Sequence, residues 1–187
     1  MKLYLIRHGA TAGNLRHAFI GRTDEPLCPQ GRAALRERHA PECDILLCSP
    51  MRRCVETAAI LYPGRIPLRC GGLRECDFGA FEGKTHAALA NDPAYRAWLE
   101  GGGCLPCPGA SESTQDFRER CTAAFEALTR HFAGAQAVTM IVHGGTIMSV
   151  LHRYGRPQRD FYDYYVTNGG GFSGIWEAGV ITGLEAL

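Results

Sequence analysis

An arginine and a histidine follow directly after the first apolar run of the chain. Residues 3–6 have the pattern of a short buried strand, and Arg7, His8 and Gly9 come next. Ligands of open α/β sheets bind outside the carboxyl ends of the strands, so chemistry is expected here. The guanidinium of Arg7 suits a phosphate or carboxylate, and His8 could serve as a nucleophile or proton carrier. Taken alone, the pair favours a solvated arginine and a structural histidine.

Two further side chains follow strands in the same way. Residues 44–48 predict a second buried strand, and Arg53 lies in the first turn of a helix predicted over residues 51–62, with Ser49 as its N-cap and Pro50 at its first position. The positive end of that helix favours a bound anion. Residues 137–142 predict the clearest buried strand, and His143 ends it. A solvated arginine and a structural histidine are again the alternatives.

Three carboxylates, Glu75, Asp77 and Glu82, lie within eight residues of a glycine-containing segment. The glycines argue against a regular helix and favour a loop over the carboxyl edge of the sheet. Any of the three could act as a general acid or base. The alternative for Asp77 and Glu82 is hydrogen bonding within the loop, which we expect for at least one of them.

The alternation of strands and helices predicts a three-layer α/β/α sandwich around a mostly parallel mixed sheet. In that fold Arg7, His8, Arg53 and His143 converge on one point and could hold a dianion with tetrahedral oxygens. Proline weakens a third strand over residues 65–70, and one or two edge strands are predicted within residues 161–166 and 170–177. The other helices are predicted over residues 29–39, 84–89, 92–100, 111 or 113 to 132, and 144–154.

No linker or repeat divides the chain, so a single domain is predicted over residues 1–187, with a cap or lid around residues 77–111. The net charge of +1 predicts neither nucleic acid nor a membrane surface as a partner, and no apolar run reaches the roughly 20 residues of a membrane span. The amino terminus enters a strand without a signal-peptide pattern, which favours a cytoplasmic location. The sequence specifies no oligomeric state.

The nine cysteines are scattered and odd in number, which favours reduced thiols over a disulfide framework. Cys104 and Cys107 are the close pair, but they lie in a Gly/Pro-rich segment without a second pair at zinc-site spacing. We therefore predict neither a metal nor another cofactor.

Taken together, these blocks resemble the histidine phosphatase superfamily, the phosphoglycerate-mutase-like proteins. The resemblance extends from residue 3 to about residue 150, and the blocks come in the order typical of the family. They are Leu5-Ile-Arg7-His8-Gly9-Ala-Thr11-Ala-Gly-Asn14, the segment Gly21 to Leu27, Cys48-Ser-Pro-Met-Arg-Arg53-Cys-Val-Glu-Thr57, Leu73-Arg-Glu75-Cys-Asp77-Phe-Gly79 and Val142-His143-Gly144-Gly-Thr146.

The resemblance implies a metal-independent phosphomonoesterase. Neutral His8 would attack phosphorus and form a phosphohistidine, and Glu75 would protonate the leaving oxygen and then activate water. On motif position, Glu75 is preferred over Asp77 and Glu82. The resemblance further implies that the phosphate is bound by Arg7, Thr11, Asn14, Gly21, Arg53, His143 and Gly144.

The chain is similar to the compact phosphatase branch of the superfamily, and within it to α-ribazole phosphatases, which remove a phosphate in cobalamin synthesis. The implied partner is a small phosphomonoester. The alternative functions for the chain are a phosphoglycerate mutase and a catalytically idle phosphoryl-binding protein. Two departures concern specificity. Cys28 stands where the family usually has Ser or Thr, and the segment from Pro108 to Glu112 is one residue longer than usual.

Overall fold

A six-stranded sheet carries the site in the computed structural model, which describes residues 1–102 and 104–187. Its strands are β1 (Lys2–Arg7), β2 (Ile45–Cys48), β3 (Leu68–Arg69), β4 (Ala137–Val142), β5 (Gly171–Glu177) and β6 (Val180–Ala186). The order across the sheet is β3-β2-β4-β1-β5-β6. The pairs among β3, β2, β4 and β1 are parallel, and β5 and β6 add antiparallel pairs. The prediction of a mostly parallel mixed sheet is confirmed.

Helices cover both faces of this sheet. They are α1 (Ala12–Leu15), α2 (Pro29–Arg36), α3 (Arg52–Leu61), α4 (His86–Leu89), α5 (Pro93–Glu100), α6 (Thr114–His131) and α7 (Gly144–Tyr154). Short 3-10 turns are formed by Gly71–Leu73, Gly79–Phe81 and Phe161–Tyr164.

Alternation along β4 shows how the layers form. Val138, Met140 and Val142 belong to a buried cluster with residues of α6 and α7, whereas Ile141 packs in a separate cluster with α2 and α3. Successive side chains of a strand point to opposite faces, so an almost wholly apolar strand supplies two cores. Each such side chain contributes about 1.5–3 kcal/mol on full burial.

The predicted start of α3 is wrong. The helix begins at Arg52 and its N-cap residue is Met51, which makes no side-chain capping hydrogen bond. The backbone of Met51 is extended, with φ −63° and ψ 139°, so Ser49 and Pro50 precede the helix. The hydroxyl of Ser49 instead lies 2.8 Å from a ring nitrogen of His143.

The predicted strand over residues 161–166 is also wrong, because Phe161–Tyr164 forms a 3-10 turn. Asp160 and Asp163 form a capping box around this turn, and Tyr164 is fully buried within it. The second predicted segment is β5, which pairs with β1 and so lies inside the sheet. The edge strand beside β5 is β6, which the sequence analysis missed.

Smaller differences have local causes. The helix predicted over residues 29–39 ends at Arg36, and the strand predicted over residues 65–70 is reduced to Leu68–Arg69, since proline cannot donate a ladder hydrogen bond. Ser113 is the N-cap of α6, one of the two predicted candidates. Cys28 is the N-cap of α2, with its sulfur accepting from the amide of Gly31 at 3.3 Å. The unusual cysteine therefore performs the capping role that suits Ser or Thr.

Candidate active site

The carboxyl ends of three neighbouring strands meet at one point. Arg7 ends β1, His143 follows β4, and Arg53 lies in the first turn of the helix after β2. Because β4 lies between β1 and β2, the three groups come together. The ring centroids of His8 and His143 are 5.1 Å apart, and Nε of Arg53 lies 3.3 Å from Nδ1 of His143. The predicted convergence is thus present.

The hydrogen bonds of His8 determine which ring nitrogen is free to react. Nδ1 lies 2.7 Å from the carbonyl oxygen of Gly9, and a carbonyl only accepts, so Nδ1 carries the proton. The lone pair is then on Nε2. The backbone here is held on both sides, because the amide of Gly9 donates to Thr57 Oγ1 at 3.0 Å and Asn168 Nδ2 donates to the carbonyl of His8 at 3.2 Å. The ring therefore presents a nucleophilic nitrogen in a fixed orientation.

Both histidines are neutral at physiological pH. Burial, followed by the positive charges of Arg53 and Arg7, holds the pKa of His8 well below its ordinary value of 6.5. Burial, Arg53 and His8 lower the pKa of His143 in the same direction. A neutral imidazole is the form that can attack an electrophilic phosphorus.

Arg53 is a fully buried cation. Nη2 donates to the carbonyl of Gly21 at 2.8 Å and Nη1 to the carbonyl of Thr23 at 2.9 Å. Within the described part of the chain it forms no salt bridge with a carboxylate. A buried charge without a counter-charge is costly, so the site is built to receive an anion.

Arg7 stands on the other side of His8. Its Nη1 donates to the carbonyl of Val166 at 2.7 Å, and its guanidinium carbon lies 5.5 Å from the centre of the Tyr165 ring. A Cβ atom at Gly144 would lie 3.4 Å from Nε of Arg7, an ordinary van der Waals distance, so the first turn of α7 lies directly beside the guanidinium. The positive end of α7 therefore faces the same space as the two arginines.

Asn14 and Thr11 form a capping box at the start of α1. Oδ1 of Asn14 accepts from the amide of Thr11 and from Asn168 Nδ2, each at 3.1 Å. The oxygen is occupied, so Nδ2 is the group with which Asn14 could bind a ligand. Thr11 is fully buried and its hydroxyl accepts from the amide of Asn14 at 3.2 Å, so Thr11 positions Asn14.

The three carboxylates have different surroundings. Oε1 of Glu75 accepts from the amide of Cys76 at 3.1 Å, and Oε2 accepts from the amide of Gly145 in the first turn of α7 at 3.3 Å. Burial raises the pKa of Glu75 against the opposing effects of these amides and Arg53. A raised pKa keeps a proton available for transfer to a leaving group.

Asp77 and Glu82 hold loops together. Burial alone would raise the pKa of Asp77, but hydrogen bonds from Ser111 and from the amide of Gly79 hold it below its ordinary value. Glu82 accepts from the amides of Gly21 and Arg22, at 3.0 and 2.8 Å, and from the hydroxyl of Thr23 at 2.7 Å. Both carboxylates thus make the loop hydrogen bonds expected for at least one of them.

Several contacting residues were missed as site residues. Thr57, Ser49, Gly145 and Asn168 each contact a predicted site residue. Thr57 and Ser49 lie within the second arginine motif, which is the signal that could have found them. Val166 has no such signal, since it contributes only a backbone carbonyl.

Among residues 1–102 and 104–187 there is no cluster of His, Cys, Asp or Glu placed to share a metal ion. No helix in these ranges is long and apolar enough to cross a membrane.

Buried neutral histidines make the stability of the fold depend on pH. Below pH 6.5 the unfolded chain binds protons that His8 and His143 in the folded chain do not. The free energy of unfolding should therefore fall with decreasing pH, by up to about 1.4 kcal/mol per pH unit for each histidine. Urea unfolding between pH 5.5 and 7.5 (roughly the window around an ordinary histidine pKa) measures this. His143→Asn should flatten the dependence, whereas His39→Asn, at an exposed position, should retain it; equal slopes in both variants would contradict the prediction.

Gly21 lies where two loops meet. A Cβ atom there would be 1.8 Å from the carbonyl oxygen of Cys76, so Gly21→Ala must displace backbone. We expect it to lower the free energy of unfolding by about 1–3 kcal/mol. Because the carbonyl of Gly21 also holds Arg53, kcat/KM should fall roughly tenfold or more. Urea unfolding measures the first effect, and assays of the phosphomonoesterase activity that the sequence resemblance implies measure the second. Gly134→Ala, where a Cβ meets open space, is the control, and a similar loss in both variants would count against the packing argument.

Comparisons with known proteins agree on one family. The family model "Histidine phosphatase superfamily (branch 1)" matches residues 3–172. A Hydrogenobacter thermophilus protein, "Putative phosphoserine phosphatase 2", is 31% identical over 159 residues, covering 80% of this chain and 76% of its own. The Escherichia coli "Adenosylcobalamin/alpha-ribazole phosphatase" is 28% identical over 179 residues, covering 90% and 87%. The crystal structure of the alpha-ribazole phosphatase from Shigella flexneri has a TM-score of 0.85 at 24% identity, covering 100% of this chain and 96% of that one, which shows likeness of fold.

Proposed function

Because the chain belongs to the histidine phosphatase superfamily and is a phosphoric monoester hydrolase, we propose that it hydrolyses a small phosphorylated metabolite through a phosphohistidine on His8. The observation that carries the proposal is the pairing of a fixed, neutral His8 with the buried cation Arg53. The first supplies a nucleophile, and the second supplies positive charge for the phosphoryl oxygens.

In the first step Nε2 of His8 attacks phosphorus. The P–N bond forms as the ester P–O bond breaks, and the proton of the Glu75 carboxyl passes to the leaving oxygen. In the second step Glu75, now a carboxylate, takes a proton from water as the water oxygen attacks phosphorus. The P–N bond breaks, inorganic phosphate is released, and both His8 and Glu75 return to their starting forms.

The surrounding groups hold the equatorial oxygens in this proposal. Arg7, Arg53 and Nδ2 of Asn14 supply donors, and the first turn of α7 at Gly144 adds its positive dipole. His143 has both ring nitrogens against protein groups, Nδ1 towards Arg53 and Nε2 towards Ser49. His143 therefore orients Arg53 in this proposal. To bind phosphate directly, Nε2 of His143 would have to give up its contact with Ser49.

For the substrate we propose α-ribazole 5′-phosphate. The support is the similarity over most of the chain to the E. coli protein named as an adenosylcobalamin/alpha-ribazole phosphatase. Phosphoserine is the competing substrate, since the H. thermophilus relative bears that name.

The test begins with hydrolysis of p-nitrophenyl phosphate in the presence of EDTA. Turnover that EDTA leaves unchanged is expected. Specificity constants for α-ribazole 5′-phosphate, phosphoserine and 3-phosphoglycerate then decide the substrate. A higher value for phosphoserine would overturn the α-ribazole assignment. Isomerisation of 3-phosphoglycerate stimulated by 2,3-bisphosphoglycerate would indicate a mutase, and phosphate binding without turnover of any ester would indicate a binding protein.

A further inference from the structure

A groove lies beside α6 and α7, on the helical layer that covers one face of the sheet. It has a volume of about 400 Å³, and its walls come from α6, α7 and residues 158 and 161. This is the size of a pocket for a small metabolite. The groove is separate from the active site. Its lining does not include the histidines, arginines or carboxylate assigned above, and His152 lies about 13 Å along α7 from His143 at 1.5 Å per residue.

Two arginines, Arg118 and Arg153, and one histidine, His152, line the groove. Nε of Arg118 and Nδ1 of His152 are buried and have no hydrogen-bond partner among the residues that the structure describes. Neither Arg118 nor Arg153 forms a salt bridge in that part of the chain. Buried polar groups are normally satisfied, so unsatisfied nitrogens in two residues that line one cavity point to a ligand.

The rest of the lining fits an anion with an organic part. The guanidinium carbon of Arg118 lies 4.1 Å from the centre of the Phe161 ring, and both side chains line the groove. Gln158 Nε2 donates to the carbonyl of His152 at 3.0 Å, which holds this lining residue against α7. The carboxylate of Glu119 accepts from Gln115 at 3.1 Å rather than from either arginine.

The helix dipole explains only part of the positive charge in the groove. Arg153 lies in the last turn of α7, where the negative end of the helix dipole favours cations. That explanation does not apply to Arg118, which lies in the second turn of α6. It also leaves the orphaned ring nitrogen of His152 without a role.

We propose that this groove is a second binding site, for a small molecule that carries an oxyanion group, phosphate or carboxylate. Arg118 and Arg153 pair with the oxyanion, and Phe161 packs against the organic part. The site is independent of the phosphatase reaction, because none of its residues takes part in the proposed steps.

The test follows the ring nitrogens of the histidines by NMR while inorganic phosphate is added at constant ionic strength. The wild type should show a saturable shift of the His152 resonances with a midpoint distinct from that of His8. In R118Q/R153Q the His152 response should weaken at least about tenfold, as expected for lost charge-assisted hydrogen bonds, while the His8 response persists. The matched control R36Q/R130Q removes two exposed arginines that form no side-chain hydrogen bond in the described chain, and it should behave as the wild type.

Acetate as a second probe distinguishes a carboxylate ligand from a phosphate ligand, and a saturable His152 shift with either supports the proposal. A wild type in which only the His8 and His143 resonances move would overturn it. An undiminished His152 response in R118Q/R153Q would overturn it too. If that variant does not fold, the wild-type titration decides alone, since the His152 resonances either saturate separately or do not.

Discussion

Replacing His8 with alanine is expected to lower kcat/KM for phosphomonoesters by at least about a thousandfold. The buried, neutral ring is the group with a free nitrogen lone pair at the point where the two arginines converge. Without it, Arg7 and Arg53 still attract a phosphate, but water would have to attack phosphorus without the covalent intermediate. Steady-state hydrolysis of p-nitrophenyl phosphate measures the loss.

Trapping the intermediate tests the same prediction directly. Rapid mixing of the wild type with a radiolabelled phosphomonoester, followed by denaturation in alkali, should leave a label that acid removes, as expected for a P–N bond. His8→Ala should retain no label, whereas His39→Ala, which removes an exposed histidine, should be labelled like the wild type. Undiminished turnover in His8→Ala would refute the phosphohistidine mechanism.

Replacing Glu75 with glutamine is expected to have an effect that depends on the leaving group. An alkyl phosphate needs a proton on its leaving oxygen, so its kcat/KM should fall about 10²–10⁴-fold. For p-nitrophenyl phosphate the leaving phenolate is already stable, and the fall in the phosphorylation step should be much smaller. Glutamine keeps the size of the side chain, but its single amide oxygen can accept from only one of the two amides of Cys76 and Gly145, because its NH2 group donates. Comparison of the two substrates separates loss of an acid from loss of structure.

The pH profile gives a second measure of Glu75. Burial raises the pKa of this carboxyl, and the first step requires its protonated form, so kcat/KM for an alkyl phosphate should decline as pH rises through the raised pKa. Glu75→Gln should abolish that decline. The pKa of His8 is held low, so the nucleophile should remain neutral on the acid side of pH 6.5.

Asp77→Asn and Glu82→Gln are the matched controls. Both carboxylates hold loops through backbone amides, and their loss should reduce stability and affect both substrates equally. If Asp77→Asn or Glu82→Gln instead selectively impaired the alkyl phosphate, the acid would have to be reassigned to that residue.

The loop carboxylates also show what the sequence alone can and cannot predict. Glu75, Asp77 and Glu82 are of similar chemistry and lie within eight residues, so spacing alone left all three open as acids. In the structure Glu75 contacts α7, whereas Asp77 contacts Ser111 and Glu82 contacts the loop at Gly21. These partners come from three different parts of the chain.

The segment after α7 gives the second example. Its aromatic and β-branched residues have the composition of a strand, but residues 161–164 form a turn around the buried Tyr164. The residues that follow it provide the carbonyl of Val166 to Arg7 and the side chain of Asn168 to His8. Burial of one aromatic side chain by tertiary packing overrode the local propensity.

By itself the sequence determined the sandwich fold and the strand ends that carry Arg7, His8, Arg53 and His143. An apolar run that stops at a charged or titratable residue encodes both the strand and its end, and parallel order brings such ends to one edge. Only the tertiary structure decided the protonated nitrogen of His8, the surroundings of each carboxylate and the fixing of Arg7 by residues far along the chain. The physical reason is the separation along the sequence of the residues that interact. Periodicity reports local burial, whereas hydrogen bonds in irregular loops join segments as much as 160 residues apart.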